Sequence, residues 1–340
     1  MTTTVLLTGG AGYIGSHTFV ALVEAGYSVV IVDDFSNSNP SVIGRLGRLT
    51  GLNRISFYEG SVLDHALMTR IFQAHAFDAV VHFAAKKAVG ESVSHPIDYI
   101  DTNIGGLTTL LKVMQDHDVR RLVFSSSATV YGTPEVIPIP ETSARSFTSP
   151  YAFTKLMGEH VLEQAATADA SWVFGILRYF NPVGAHPSGT IGEDPGDIPN
   201  NLMPYIAKVA TGELPHLNVF GDDYDTPDGT GVRDYVHVCD LAEGHVKSLD
   251  ALIAQNTGHT VNLGTGVGTS VLEMLQAYAA ACGKDLPHVI APRRDGDVPV
   301  LCADVGLARD LLGFEATRSL EDMCNSSWHW MQTGAQEGDG

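Results

Sequence analysis

Cysteine is scarce in this 340-residue chain: Cys239, Cys282, Cys302 and Cys324 are widely spaced, with no C-x-x-C. Such spacing excludes a disulfide framework or a zinc ribbon and fits small core hydrophobes in a reducing compartment. Long apolar runs are missing too, none approaching the ~18 residues that span a bilayer. The opening Met1-Thr2-Thr3-Thr4-Val5 has no basic stretch, so no secretory signal is expected. Cations are few, 20 Lys+Arg against 39 Asp+Glu, for a formal net charge of −19. A nucleic-acid partner needs a concentrated basic face, so none is expected. The 14 histidines are scattered, with no H-E-x-x-H and no ligand spacing, and no metal site is expected. A G-x-S-x-G elbow is absent, which argues against serine hydrolysis. There is no internal repeat. With 44% hydrophobic residues, the remaining class is a globular, cytoplasmic protein that binds neither membrane nor nucleic acid.

Short apolar runs alternate with amphipathic stretches through the first half. Val5–Thr8, Ser28–Asp33, Ile55–Tyr58, Ala79–Phe83, Leu122–Ser125 and Trp172–Arg178 read as buried strands. Between them lie helically spaced sets such as Leu107, Leu110, Leu111 and Met114. Fully apolar strands alternating with helices predict an α/β fold, a Rossmann-type doubly wound parallel sheet. After Pro182 the texture changes. Residues 182–200 and 221–231 are dense in Pro, Gly and Asp and read as long loops. Helical patterns return at 202–211, 240–254, 271–281 and 319–331, with a late strand at Val261–Leu263. The tail 333–340 has no core-forming residues and is expected to fray.

The first strand runs into Gly9-Gly10-Ala11-Gly12-Tyr13-Ile14-Gly15 and then a helix. Glycines at 9, 12 and 15 permit a tight turn, close backbone approach to a pyrophosphate, and close helix packing. A glycine triplet alone is weak evidence. Here it has a strand before it, a helix after it, and an acid, Asp33, ending the second strand. That carboxylate suits the adenosine ribose hydroxyls and repels a 2′-phosphate, so the expected cofactor is NAD rather than NADP.

Ser127 follows the strand Leu122–Phe124, at the end where open parallel sheets bind ligands. In Ser149-Pro150-Tyr151-Ala152-Phe153-Thr154-Lys155, Ser149 suits a helix cap and Pro150 a first turn. Tyr151 and Lys155 then share one helix face. A tyrosine acting as base near neutrality needs its pKa lowered by about 3 units, or ~4 kcal/mol. An adjacent ammonium and a positive nicotinamide ring are expected to supply that shift.

These blocks together resemble the extended short-chain dehydrogenase/reductase family and, within it, the UDP-glucose 4-epimerases, from Thr8 to about Trp330. Lys87–Ser92, Leu177–Pro187, Gly231–Tyr235 and Ala291–Asp297 are the most specific segments. The resemblance implies inversion at the sugar C4 through a transient 4-keto sugar, hydride passing to bound NAD and back. Tyr151 is then the base, Lys155 its tuner and Ser127 a hydrogen-bond partner of the reacting oxygen. Ser61, Lys87, Asn103 and Tyr179 join Gly9, Gly12, Tyr13, Ile14, Gly15 and Asp33 around NAD. Asn181, Asn201, Phe220, Arg233, Arg294 and Asp297 hold the UDP-sugar, and Leu301 stands as a gate beside the sugar C2 substituent.

Residues 1–181 are then the NAD-binding domain, with 235–265 returning to it, and a smaller mixed α/β domain of 182–234 and 266–332 binds UDP-glucose or UDP-galactose. A homodimer through helices near 95–117 and 151–166 is also implied. Two positions depart from the family pattern. Ser61 replaces an aspartate expected to receive the adenine amino group, and Lys86 adds a charge before Lys87. Two other readings stay open at this point: a nucleotide-sugar 4,6-dehydratase and a non-catalytic NAD sensor. The first needs an Asp-Glu pair after Ser127, where Ala128-Thr129 stand; the second has no need of Tyr151 and Lys155.

Overall fold

A computed structural model describes residues 2–194, 201–294 and 296–334. In chain order the strands are β1 (Thr4–Thr8), β2 (Ser28–Asp33), β3 (Ser56–Glu59), β4 (Ala79–His82), β5 (Arg121–Ser127), β6 (Val173–Tyr179) and β7 (Asn181–Val183). They continue with β8 (Leu217–Phe220), β9 (Val232–His237), β10 (His259–Leu263), β11 (Gly268–Ser270), β12 (His288–Ala291) and β13 (Val300–Leu301). Seven form one parallel sheet in the order β10-β6-β5-β4-β1-β2-β3. The crevice between β1 and β4 is the switch point at which doubly wound folds bind ligands.

Both faces of this sheet are covered, which is why its strands are continuously apolar. Successive side chains point to opposite faces. Val5 and Leu7 pack with Phe19, Leu22 and Leu252 on one side, while Leu6, Val30 and Val80 meet Met68, Leu110 and Leu162 on the other. The first layer is built by the helices Tyr13–Glu24 and Val238–Gln255, the second by His65–Ala74, Gly106–Asp116 and Pro150–Ala168. Burying each such aliphatic side chain contributes roughly 1.5–3 kcal/mol.

A second, smaller layer is centred on β9, which pairs with β11, β13 and β7. The helices Leu202–Thr211, Val271–Cys282 and Leu320–Thr333 bury Met203, Ile206, Tyr278 and Met323 against it. Two of these start from capping boxes, Ser270 with Glu273 and Ser319 with Asp322. The chain leaves β9 directly into the helix Val238–Gln255 and then β10, both on the large sheet.

Three expectations need correction. Pro182 and Val183, read as the start of a loop, belong to the strand Asn181–Val183, because β9 supplies its partner. The segment 95–117 is not one helix but Pro96–Ile100, a π-helical turn Asp101–Gly105, and Gly106–Asp116. Thr333 ends a helix and its hydroxyl donates to the Gly189 carbonyl at 2.8 Å; residues 335–340 of the expected frayed tail lie outside the described residues, as do 195–200 of the first long loop.

Candidate active site

At the β1–β4 crevice lies a cavity of about 740 Å³. Gly9 takes a left-handed φ of +69°, and a Cβ there would sit 2.7 Å from the Ala84 nitrogen. A Cβ at Gly15 would meet the Gly9 carbonyl at 2.1 Å. Only glycine fits either place, and the loop therefore presents bare backbone at the start of the helix Tyr13–Glu24. Asp33 closes the end of β2, almost fully buried. Burial raises its pKa, while hydrogen bonds from the backbone of Phe35 and Ala11 and from the Ser38 hydroxyl counter that rise. The carboxylate thus pins the glycine loop to the loop after β2. The groups that line this cavity fit a dinucleotide: a glycine cradle for phosphates, an acid for ribose, and Lys87 at the mouth.

Tyr13, Ile14, Ser61, Tyr151, Lys155 and Tyr179, all expected around NAD, also line it, as does Asn201, which was expected on the UDP-sugar. Ser61 spends its hydroxyl oxygen as acceptor for the Leu63 backbone at 3.2 Å. Asn103 is different. It does not line the cavity; the π-turn aims its amide at the Lys86 backbone, accepting from Lys86 N at 2.8 Å and donating to Lys86 O at 3.0 Å and to the Thr154 hydroxyl at 2.9 Å. Asn103 therefore acts as a strut that sets the Lys86-Lys87 turn. The unexplained charge of Lys86 finds Glu91 at 3.8 Å and the Tyr99 ring at 5.8 Å.

Ser149 caps the helix Pro150–Ala168, its hydroxyl accepting from Ala152 N at 3.2 Å. One turn in, Tyr151 and Lys155 face the sheet, both buried. Lys155 donates to the Ser125 carbonyl at 2.8 Å and its ammonium sits 5.9 Å from the Tyr151 ring centroid. Burial lowers the Lys155 pKa to about 8. Ser127, at the end of β5, stands beside the Tyr151 phenol and accepts from the Thr129 amide at 3.2 Å and hydroxyl at 3.0 Å. The lowered phenol expected from the sequence is not what the chain alone produces. Burial pushes Tyr151 up to about 12, and the neighbouring Ser127 hydroxyl offsets this only in part. The ammonium lies over the ring and bonds a carbonyl, so it does little for the phenol oxygen. Tyr179, beside Ser125, is raised still further by burial and by its neighbour Tyr151.

Behind this trio runs a buried ionic network. Glu159, two turns along from Lys155's neighbour Tyr151 on the same helix, accepts from Arg178 at 2.9 and 2.7 Å, from Arg145 at 2.9 Å and from the Ser126 hydroxyl at 2.5 Å. It ties the Tyr151 helix to β5 and β6.

The remaining expected residues gather on the second layer, outside the first cavity. Arg233 pairs with Asp297 at 2.5 Å and Arg294 with the same carboxylate at 3.2 Å. The Arg294 guanidinium stacks 4.8 Å from the Phe220 ring, itself 37% exposed. Leu301 lies opposite Arg233 in the β9–β13 register and packs beside Ala128 and Phe180. Asn181 opens β7, while Asn201, which lines the first cavity, holds Glu193 at 3.0 Å. Two arginines gathered by one carboxylate beside an exposed aromatic ring suit a diphosphate and a flat base.

Sequence reasoning missed several cavity residues: the Ser36–Asn39 loop, Arg45, Glu193 and Trp330. Glu193 pairs with Lys87 at 3.5 Å, and its carbonyl accepts from the Trp330 ring nitrogen at 3.3 Å. No local motif carries these residues; they meet only because the loop after β7 and the helix Leu320–Thr333 fold back over the glycine loop.

Residues 6–327 match the family profile described as GDP-mannose 4,6 dehydratase. The chain is 51% identical over 329 residues to the UDP-glucose 4-epimerase of Bacillus subtilis (strain 168), covering 97% of each. It superposes on the UDP-glucose 4-epimerase of Bifidobacterium longum, in complex with NAD+ and UDP, with a TM-score of 0.94 at 50% identity, covering 98% of this chain and 99% of that one. Against the enzyme from Stenotrophomonas maltophila, with bound NAD and formylated UDP-arabinopyranose, the TM-score is 0.96 at 49% identity, covering 99% and 100%. The dehydratase profile covers a scaffold common to both activities, and the full-length relatives decide between them. The chain belongs to the extended short-chain dehydrogenase/reductase family, among its UDP-glucose 4-epimerases.

Proposed function

We propose that the chain interconverts UDP-galactose and UDP-glucose at C4 with resident NAD, and that Tyr151, Lys155 and Ser127 carry the proton chemistry. The observation that carries this reading is the buried Tyr151, with Ser127 beside its phenol and Lys155 over its ring, at one end of a dinucleotide cavity. When bound, NAD supplies the reversible oxidation of the sugar carbinol and a positive charge beside the phenol. Tyr151 takes the 4-hydroxyl proton and later returns it, and Ser127 fixes the oxygen during both transfers. Lys155, held by the Ser125 carbonyl, keeps its ammonium over the Tyr151 ring.

Inversion requires the sugar to turn while the nucleotide stays fixed. Arg233, Arg294, Asp297 and Phe220 lie on the second layer, away from Tyr151, so binding energy falls on the diphosphate and base and leaves the sugar free. This division supports a cofactor unit on the large sheet and a UDP-sugar unit on the smaller layer. A dehydratase lacks support, since Ser127 is followed by a buried Ala128 and by Thr129, whose hydroxyl donates back to Ser127. Turnover of UDP-galactose by the purified chain in a coupled UDP-glucose assay tests the proposal; release of a 4-keto-6-deoxy sugar, or no turnover, would refute it.

Supporting a homodimer is an exposed apolar stripe beside the helix Pro150–Ala168: Val93 and Ile97 are 65% and 72% exposed, with Val89, Ile100 and Phe147 nearby in kind. Light scattering on a sizing column tests this, a monomer being the contrary result. A cytoplasmic location is supported by the four free cysteines, three of them buried. No helix among the described residues is long and apolar enough to cross a membrane.

A further inference from the structure

Arg45 stands out among the charged groups of the molecule. It lies on the helix Ser41–Thr50, is only 6% exposed, and lines the cofactor cavity. Among the described residues it meets the Trp330 ring, 5.2 Å from the guanidinium, and no carboxylate or carbonyl takes its protons. The guanidinium opens onto the cavity, whereas the other buried arginine, Arg178, has its charge met by Glu159 inside the protein. An anion that enters the cavity is then within reach of Arg45 with no described carboxylate competing for it.

Its position indicates which anion that is. Arg45 touches Trp330, the Trp330 ring nitrogen donates to the Glu193 carbonyl, and the Glu193 carboxylate pairs with Lys87. This chain of contacts passes over the glycine loop, from the helix after β2 to the turn after β4. Arg45 and Lys87 so flank the stretch where Gly12, Ile14 and Ser16 line the cavity. The loop itself supplies only backbone N–H groups, and the protein as a whole is strongly acidic. We propose that Arg45 is a positioning residue for the cofactor, closing on the diphosphate of NAD from the side opposite the glycine loop, with Trp330 as its backing. A 2′-phosphate is the other anion a dinucleotide could bring, but it would fall against the Asp33 carboxylate, which the Ala11 amide and Ser38 hydroxyl hold in place. The proposal rests on NAD being the cofactor, which binding to the unaltered chain checks separately.

The test uses the full-length chain and its Arg45→Met, Arg45→Gln and Arg45→Lys variants. Each is titrated with NAD, NADP and adenosine while tryptophan emission is followed, Trp330 being the reporter inside the cavity. Loss of a charge-assisted pair should weaken NAD by about 10- to 100-fold in Arg45→Met and Arg45→Gln. Adenosine, which has no phosphate, should change by less than about twofold, and Arg45→Lys should recover most of the NAD affinity. NAD affinity of the unaltered chain should also fall more steeply with salt than that of Arg45→Gln. Unchanged NAD affinity in both neutral variants, or equal losses for NAD and adenosine, would overturn the proposal. So would a loss confined to NADP. Failure of the unaltered chain to bind NAD would instead overturn the cofactor reading.

Discussion

Glu159 and Arg178 offer a stringent test of how the catalytic helix is held. Arg178 is 4% exposed and Glu159 fully buried. Burial alone lowers the Arg178 pKa, yet bonds to Glu159 override it and leave the group more firmly cationic than usual. Replacing Glu159 by Leu strands that cation. Two of its bonds remain, to the Tyr131 hydroxyl at 3.1 Å and the Glu141 carbonyl at 3.0 Å, and Arg145 keeps Glu163 at 2.6 Å. The expected loss is that of a broken buried pair, about 3–5 kcal/mol, with Ser126 adding about 1 kcal/mol or more for its orphaned hydroxyl. Arg178→Met should cost less, because Glu159 retains Arg145 and Ser126 as donors. Removing both leaves no uncompensated charge, so the double variant should be no worse than Glu159→Leu alone. Urea unfolding of the four proteins at saturating NAD gives the coupling, expected at about 2 kcal/mol or more. A Glu159→Leu loss below about 1 kcal/mol, or additivity within about 0.5 kcal/mol, would refute the reasoning.

Other expectations follow from the same site. Tyr151→Phe should lower kcat by at least the ~10²–10⁴-fold of general base catalysis, and a loss under about tenfold would remove Tyr151 from that role. Leu301→Gly should raise kcat/KM for UDP-N-acetylgalactosamine by about 10- to 200-fold and Leu301→Tyr should abolish it; equal kcat/KM for acetylated and plain sugars in the unaltered chain would show that Leu301 is no gate. His17 and His82 are held neutral by burial with pKa values of about 3, and His237 and His245 with values of about 4. The unfolded chain takes up protons below its ordinary 6.5 that the folded chain refuses, so stability is intact above pH 6.5 and falls on acidification by about 1.4 kcal/mol per pH unit per histidine. A flat urea midpoint between pH 7 and 5 would contradict this. Lys155 acts at the other end: its folded value near 8 against an ordinary 10.5 means that the unfolded chain binds the extra proton between those values. Stability relative to Lys155→Met should therefore climb with pH across that window, and a falling or flat difference would show that Lys155 is not desolvated.

The large sheet was legible because its inner strands are short apolar runs buried on both faces, and Ser28–Asp33 was read to the residue. The glycine loop, Asp33, Ser149, Tyr151 and Lys155 were legible for a related reason, since their geometry is set within one turn or one helix. The small strands of the second layer were not. Asn181–Val183 and Val300–Leu301 carry no pattern of their own and exist because β9 offers hydrogen bonds. The bonds of Asn103 to the Lys86 backbone were not legible, since a π-turn is invisible in a helical pattern. For Tyr151 the chain by itself raises the phenol, since spacing reports a neighbouring charge and says nothing of how much water the fold has removed, and the nicotinamide charge that the expectation also invokes belongs to the cofactor.

Trp330 and Glu193 also set an order of events. The glycine loop is synthesised long before the ring that walls the same cavity, which comes from the helix Leu320–Thr333. β10, the strand beside β6, also follows it at a distance. A nascent chain therefore displays an open half-cradle, and the wall of the cofactor chamber waits for that helix. Nucleotide capture then follows its arrival, and truncations that spare every catalytic side chain but delete Leu320–Thr333 should yield a protein that cannot retain the cofactor.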